Sequence, residues 1–141
     1  MNLIALMPYG KDFLFVDQIT EVNQNFIKGY YRFSSEAYFY KHHFPNQPVT
    51  PGVFLLESAA QIGLVAFGIH LLGITSKLDY LVAFTSSQVD FLKPVQQGEE
   101  IFVEAKKIYF RFNKLKVSFV IKNIDNQLVA SGELSGMFHK K

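Results

Sequence analysis

Cysteine is absent from the 141-residue sequence, and charged residues are scarce. Without cysteine the chain forms neither disulfide bonds nor thiolate metal sites, so its fold is independent of the redox state of its compartment. Charged residues make up 18% of the chain, below the usual value of about a quarter, and the net charge is only +2. The lysines are spread along the sequence and form no solid basic block, so we expect no binding to nucleic acid.

Patterns that direct a chain to or through a membrane are also missing. Residues 1–8 lack the basic region and the long apolar core of a signal peptide. Residues 53–72 are apolar and close to membrane-spanning length, but they include Glu57, Gln61 and His70. A charge within a spanning segment is costly. We therefore expect no membrane segment and a cytoplasmic location.

Apolar and aromatic residues, in contrast, are abundant. Hydrophobic residues make up 49% of the chain, with 15 Phe and 7 Tyr, which argues against disorder. The length fits a single domain, residues 1–141, that is large enough to bury a core. The composition also predicts more apolar surface than a monomer of this size can bury, so we expect self-association.

Short segments rich in β-branched and aromatic residues predict an antiparallel sheet. The alternation Ile101, Val103, Ala105 is typical of a sheet with one buried face. Asn113-Lys114 and Asp125-Asn126 offer turns between neighbouring strands. The predicted strands are residues 13–17, 26–33, 80–84, 87–92, 100–112, 116–122 and 128–138, with a turn at residues 21–25.

One long helix is predicted between these two groups of strands. Thr50 suits the N-cap, Pro51 suits the first helical position, and Gly73 suits the end of the helix. The apolar residues between them point in every direction, and a helix that is apolar all round must be buried all round. We therefore predict an α+β fold in which a curved antiparallel sheet wraps around a long central helix.

Glu57 is the one carboxylate on this apolar helix. A buried carboxylate must be paired, protonated or exposed to a cavity. One interpretation is a structural hydrogen bond to loop backbone. The other is a general acid with a raised pKa that lines a substrate tunnel.

His43 lies in a loop that Pro45, Pro48 and Pro51 stiffen. A histidine beside a phenylalanine is often a packing or capping residue, and that interpretation stays open. The alternative is a catalytic base, because the loop leads directly into the helix N-terminus. There the free N–H groups of Gly52 and Val53 can polarise a carbonyl, and glycine lets the carbonyl oxygen approach closely.

A base, an oxyanion site and an acid together suit one reaction class. The base removes a proton beside a carbonyl, the helix N-terminus holds the oxyanion, and the acid protonates a departing β-hydroxyl. This chemistry is β-elimination of water from a 3-hydroxyacyl thioester. The sequence has no zinc-type His/Cys spacing and no glycine loop that cradles phosphate, so we predict neither metal nor cofactor.

Residues 43–61, HFPNQPVTPGVFLLESAAQ, resemble the signature of the 3-hydroxyacyl-[acyl carrier protein] dehydratases of type II fatty acid synthesis, in the branch with a His/Glu pair. Weaker similarity is seen at Pro8 with residues 13–17, and at residues 90–95 and 98–99. The resemblance implies a hot-dog fold and a homodimer, with a trimer of dimers as the alternative assembly. It also implies that His43 faces Glu57 of the other subunit, that Gly52 N–H contacts the thioester carbonyl, and that Gln61 supports the site.

The resemblance further implies that the substrate is carried on acyl carrier protein through phosphopantetheine. Some phenylalanines, Phe91 among them, are candidates to line the acyl tunnel. Basic residues at Lys93, Arg111 and Lys114 are candidates to contact an acidic carrier, although solvated lysines are the alternative interpretation.

Three departures from the family pattern stand out. His42 replaces a glycine, Tyr9-Gly10 replaces a His-Arg pair, and Gln97-Gly98 replaces a Pro-Gly pair. They motivate the hypothesis of a specialised paralogue that serves a polyene- or polyketide-like pathway. Two other functions stay open: a thioesterase on the same fold, and a non-catalytic subunit that binds acyl carriers or completes a heterodimer.

Overall fold

The computed structural model describes residues 2–141, which form a six-stranded antiparallel sheet around one long helix. The strands are β1 (Gln18–Val22), β2 (Phe26–Arg32), β3 (Tyr80–Phe91), β4 (Glu100–Arg111), β5 (Lys114–Lys122) and β6 (Leu128–Lys140). Their order in the sheet is β1-β2-β4-β5-β6-β3. Short 3₁₀ turns occur at Ile4–Leu6, Lys11–Phe13 and Tyr38–Lys41.

The central helix, Gly52–Leu72, packs on the concave face of this sheet. It consists of α1 (Gly52–Ala60), a π-helical segment (Gln61–Ala66) and α2 (Phe67–Leu72). Along β5, and along β4 as far as Ala105, every second side chain is buried, as the alternating pattern in the sequence predicted. Residues 58–69 of the helix are all buried. The predicted α+β architecture is therefore confirmed.

The two ends of the helix differ in how well the sequence predicted them. Gly73 ends it in the left-handed conformation, with φ of 65° and ψ of 35°, as expected for a glycine C-cap. The prediction that Thr50 is the N-cap is wrong: Pro51 occupies that position, and the Thr50 hydroxyl is hydrogen-bonded to the Tyr40 hydroxyl at 2.6 Å. The prediction of burial all round is also wrong for the first turn, where the Val53 side chain is 69% exposed.

By length and composition alone, this helix could cross a bilayer. However, 72% of its most apolar window is buried inside the domain. A helix enclosed by its own sheet in this way is a core helix, which agrees with the expectation that residues 53–72 do not span a membrane.

The first strand begins later than predicted. Residues 14–16 belong to no strand and Asp17 forms a bend whose N–H donates to the Tyr30 carbonyl, so β1 starts at Gln18 and occupies part of the predicted turn at residues 21–25. The reason is that side chains of the central helix bind this segment: Gln61 binds the backbone of Phe13 and Phe15, and Ser58 donates to the Phe15 carbonyl. Those backbone groups are thus satisfied without a neighbouring strand.

The two predicted strands at residues 80–84 and 87–92 form one continuous strand, β3, with a bulge between Phe84 and Ser86. The turn between β4 and β5 lies at Phe112 and Asn113, both with positive φ, one residue before the predicted turn. β3 is an edge strand, and apart from the first residue, Tyr80, no side chain along it is buried. A long exposed edge strand with apolar side chains is a template for pairing with another chain.

Candidate active site

The His43 ring is held by the loop that precedes the helix. Its Nδ1 lies 3.0 Å from the Val49 carbonyl oxygen, and the Val49 N–H donates in return to the His43 carbonyl at 3.0 Å. The ring also stacks on Phe44, with 4.2 Å between the centroids. Because a carbonyl oxygen only accepts hydrogen bonds, Nδ1 carries the proton and Nε2 keeps a free lone pair. A neutral imidazole with Nδ1 as the donor and Nε2 unpaired has the tautomer that a general base requires.

Glu57 is partly buried on α1, and its carboxylate accepts one hydrogen bond from within the chain. The donor is Gln61 Nε2, 3.0 Å from Glu57 Oε2. Burial raises the pKa of Glu57, and the hydrogen bond from Gln61 opposes this rise in part. A carboxyl whose pKa is raised in this way keeps its proton to higher pH, as a general acid requires.

Gln61 links Glu57 to the N-terminal segment. Its side chain is fully buried, its Nε2 also donates to the Phe13 carbonyl at 2.9 Å, and its Oε1 accepts from the Phe15 N–H at 2.7 Å. The Gln61 side chain has no exposed surface, so it can act on a substrate only through Glu57, in keeping with the supporting role that the resemblance implies.

Glu57 opens onto an apolar cavity of about 210 Å³, here called the Glu57 cavity. Its floor is the central helix and its other walls come from β3 and the N-terminal segment. The lining residues are Tyr9, Phe13, Glu57, Ala60, Leu64, Val65, Val82, Ala83 and Phe84.

A second cavity, of about 410 Å³, lies at the helix N-terminus and is here called the Gly52 cavity. Within residues 2–141 neither the Gly52 N–H nor the Val53 N–H donates a hydrogen bond, so both remain available to a ligand. A Cβ on Gly52 would lie 3.1 Å from the Phe91 ring, which shows how closely that ring covers the glycine. The cavity is lined by Val49, Thr50, Gly52, Leu55, Phe91, Leu92, Lys93, Pro94 and Val95.

The structure of one chain brings only some of the predicted site residues together. Gly52 meets Phe91, and Glu57 meets Gln61. His43 and Glu57, in contrast, share no hydrogen bond or ion pair in the part of the chain that is described. Glu57 and Gly52 also line different cavities. No group of three or more His, Asp or Glu side chains suited to a metal occurs within residues 2–141.

Comparison with known proteins shows the family of this chain. Residues 7–133 match the family model described as a FabA-like domain. A 3-hydroxyacyl-[acyl-carrier-protein] dehydratase FabZ from Campylobacter lari is 32% identical over 145 residues, covering 100% of this chain and 97% of the relative. The protein of the same name from Syntrophobacter fumaroxidans is 30% identical over 133 residues, covering 94% and 88%.

The chain belongs to this dehydratase family. The resemblance seen in residues 43–61 is thereby confirmed, and it extends over nearly the whole chain.

Solved structures share the fold of this dehydratase. The dehydratase heterocomplex ApeI:P from Xenorhabdus doucetiae matches with a TM-score of 0.78 at 13% identity, covering 100% of this chain and 93% of the other. A thioesterase from Haemophilus influenzae matches with a TM-score of 0.62 at 18% identity, covering 87% and 78%. These likenesses confirm the predicted hot-dog fold.

Tyr9, Phe13 and Phe84 line the Glu57 cavity, although sequence reasoning assigned them no role. The only signal was that Tyr9-Gly10 departs from the family pattern. In the structure Tyr9 and Phe13 line the wall of the Glu57 cavity that the N-terminal segment forms. Burial, and secondly the charge of Glu57, raise the pKa of the Tyr9 hydroxyl, so it remains protonated.

Proposed function

We propose that this dehydratase eliminates water from a (3R)-3-hydroxyacyl thioester on acyl carrier protein and yields the trans-2-enoyl thioester. His43 is the base and Glu57 is the acid. The observation that carries the proposal is the setting of Glu57. Its carboxyl has a raised pKa, opens onto an apolar cavity, and is held in one orientation by Gln61.

The proposed reaction is a proton transfer at each end of a new double bond. His43 Nε2 takes a proton from C2 of the acyl chain, and the electron pair of that C–H bond forms the C2=C3 bond. The C3–O bond breaks, its electron pair stays on oxygen, and Glu57 supplies the proton that completes a water molecule. His43 and Glu57 regain their starting protonation when a proton passes from His43 to Glu57 through solvent.

The helix N-terminus stabilises the thioester carbonyl while the C2 proton leaves. The N–H groups of Gly52 and Val53 have no partner within residues 2–141 and lie where the helix dipole favours negative charge. The absence of a side chain at Gly52 allows the carbonyl oxygen to come within hydrogen-bond distance. Phe91 covers this position and forms a wall for the thioester.

We further propose that the site is composite, with His43 from one subunit and Glu57 from the other. Two observations support a dimer through β3: the strand is an unpaired edge, and it exposes Leu81, Phe84 and Phe91 by 56%, 45% and 51%. Pairing of two β3 edges continues the sheet and brings the Gly52 and Glu57 cavities of different subunits together. Assembly beyond the dimer, as a trimer of dimers, stays a prediction.

The carrier protein is expected to approach near Lys93. This residue is exposed and lines the Gly52 cavity, where the thioester enters. Arg111 and Lys114 lie at the β4–β5 turn, where Lys114 pairs with Met137, next to Ala83. Ala83 and Phe91 are about 26 Å apart along β3, so these two basic residues are not part of the Lys93 surface. We also propose a cytoplasmic location, since the helix that is long and apolar enough to cross a bilayer is mostly buried within the domain.

Two experiments test the proposed function. Purified protein is first incubated with a 3-hydroxyacyl carrier protein, and mass spectrometry follows the loss of one water. Release of free carrier thiol would instead indicate a thioesterase. Binding without any product would indicate a non-catalytic subunit.

The second experiment tests the composite site by mixing two inactive chains. When His43→Ala and Glu57→Gln chains are refolded together, each mixed dimer has one intact site and one doubly altered site. We expect recovery of about a quarter of wild-type activity, because half of randomly paired dimers are mixed. If mixing recovers nothing while mixed dimers are seen by native mass spectrometry, both roles belong to one chain.

A further inference from the structure

Tyr9 lies in the wall of the Glu57 cavity that the N-terminal segment forms. Its ring packs on Phe13, with 6.1 Å between the centroids, and Phe13 packs in turn on Phe15 at 5.0 Å. Phe15 is bound to the central helix through Gln61 and Ser58. The position of the Tyr9 ring is therefore fixed relative to Glu57 by packing that does not involve its hydroxyl.

No hydrogen bond within residues 2–141 involves the Tyr9 hydroxyl, and since no fully buried polar side-chain atom lacks a partner there, this hydroxyl is accessible to a ligand. Of the nine residues that line the Glu57 cavity, only Tyr9 and Glu57 carry polar side-chain atoms. A polar group that faces an otherwise apolar cavity usually fixes the orientation of a ligand. The phenol and the carboxyl are thus the two polar side chains in the lining of this cavity.

The phenol and the carboxyl line the same cavity but do not form a hydrogen bond with each other, since the hydrogen bond that Glu57 accepts comes from Gln61. In agreement with this arrangement, the charge of Glu57 contributes, after burial, to the raised pKa of Tyr9. The cavity of about 210 Å³ is larger than the cavity of about 150 Å³ that holds a benzene molecule. It therefore has room for a hydroxyl-bearing carbon and the first carbons of an acyl chain.

We propose that Tyr9 donates a hydrogen bond to the 3-hydroxyl oxygen of the substrate and holds that oxygen against Glu57 while the C3–O bond breaks. This inference rests on the dehydratase activity proposed above. The electron pair of the C3–O bond passes to the oxygen, Glu57 supplies the proton, and the Tyr9 proton stays on Tyr9. The product water is then held by the same two groups before it leaves.

Tyr9 therefore acts on substrate choice as well as on rate. An acyl chain with a hydroxyl at C3 accepts the hydrogen bond of the Tyr9 phenol, whereas a saturated acyl chain leaves the phenol without a partner. An unsatisfied polar contact of this kind distinguishes two ligands that otherwise bind in the same way. The prediction concerns the hydroxyl and not the length of the acyl chain.

The test is a binding cycle in the His43→Ala background, where the ligand is not consumed. Carrier protein bearing a 3-hydroxyacyl chain and carrier bearing the saturated chain of the same length are titrated against His43→Ala and against His43→Ala/Tyr9→Phe. The 3-hydroxyacyl ligand should bind about three- to ten-fold more tightly to His43→Ala than to His43→Ala/Tyr9→Phe. The saturated ligand should bind equally tightly to both proteins. An unchanged ratio between the two ligands overturns the proposal.

Turnover separates this inference from the dehydratase activity itself. Tyr9→Phe should lower kcat by about ten-fold and leave the melting temperature unchanged, because the ring still packs on Phe13. Tyr9→His, which keeps a donor, should recover part of that loss, and Tyr38→Phe, on a side chain 73% exposed, should have wild-type kcat. Full activity of Tyr9→Phe overturns the role of Tyr9 alone, whereas a wild-type chain that forms no enoyl product overturns the proposed function.

Discussion

Gln61 Nε2 lies 3.0 Å from Glu57 Oε2, and the same side chain binds the backbone on both sides of Leu14. One buried amide thus joins the proposed acid to the segment that carries Phe13, a wall of the Glu57 cavity. The orientation of the carboxyl and the position of that wall are therefore set together.

Replacement of Gln61 by leucine should affect both stability and the pH dependence of activity. The Phe15 N–H is buried and loses its acceptor, which costs about 1–3 kcal/mol in the free energy of unfolding. The hydrogen bond that lowers the pKa of Glu57 is also lost, so this pKa rises further. In a pH–rate profile, the fall in activity as Glu57 loses its proton should move to higher pH. Gln24→Leu, at an exposed turn, is the matched control and should change neither quantity.

Glu57→Gln should lower kcat by about 10²–10⁴-fold, because general acid catalysis contributes that much. The enoyl absorbance assay measures the loss, and circular dichroism checks that the variant is folded. A Glu57→Gln variant with a near-normal rate would remove Glu57 from the mechanism.

The same variant should show a characteristic dependence of stability on pH. Burial raises the pKa of folded Glu57 above its ordinary value of 4.5, so between these two values the folded chain binds more protons than the unfolded chain. The stability of the wild type consequently falls as pH rises through this window. The melting temperature of Glu57→Gln minus that of the wild type should be larger at pH 7 than at pH 4. A difference that is constant with pH would show that burial does not act on the charge of Glu57.

Gly52→Ala should abolish most activity with little loss of stability. The new methyl group would lie 3.1 Å from the Phe91 ring, which is half exposed and can move. The methyl would also keep the thioester oxygen away from the backbone N–H groups, and loss of one oxyanion donor costs about 10²–10³-fold in kcat. The double variant Gly52→Ala/Phe91→Leu relieves the contact with the ring and should stay inactive. Recovery of activity in the double variant, compared with Phe91→Leu alone, would assign Gly52 a packing role instead.

Gly68→Ala should destabilise the fold by about 1–3 kcal/mol through overpacking. A Cβ at this buried position would overlap the Phe138 ring, which is only 1% exposed and cannot move away. Chemical denaturation measures the cost, and Phe138→Leu should restore stability in the Gly68→Ala background. Gly10→Ala, which meets no atom within 4 Å, is the control and should stay within about 0.5 kcal/mol of the wild type.

The sequence was sufficient to predict the features that depend on local chemistry. Alternation of apolar residues predicted the buried faces of β4 and β5, and Gly73 predicted the end of the central helix. The loop at His43, the glycine at position 52 and the lone carboxylate at Glu57 also stood out without a structure. These signals are contained within a few neighbouring residues.

Features that depend on contacts between distant segments could not be predicted in this way. The segment that ends at Asp17 looks like a strand, but Gln61, more than forty residues away, satisfies its backbone and keeps it out of the sheet. The place of Tyr9 beside Glu57 depends on the same long-range packing. The Thr50 hydroxyl, which was expected to cap the helix, is bound instead to Tyr40, ten residues away, and Pro51 is the N-cap.

The bulge in β3 has a consequence for both cavities. Phe84 and Phe91 are seven residues apart, and in a regular strand an odd separation places two side chains on opposite faces of the sheet. The extra residue at the bulge restores an even count, since their partners on β6, Gly136 and Ala130, are six residues apart. Both aromatic rings consequently project to the side of the central helix. There Phe84 lines the Glu57 cavity and the Phe91 ring covers Gly52. Because of the one inserted residue, Thr85, side chains of the same strand reach both the proposed acid, Glu57, and the proposed oxyanion site at Gly52.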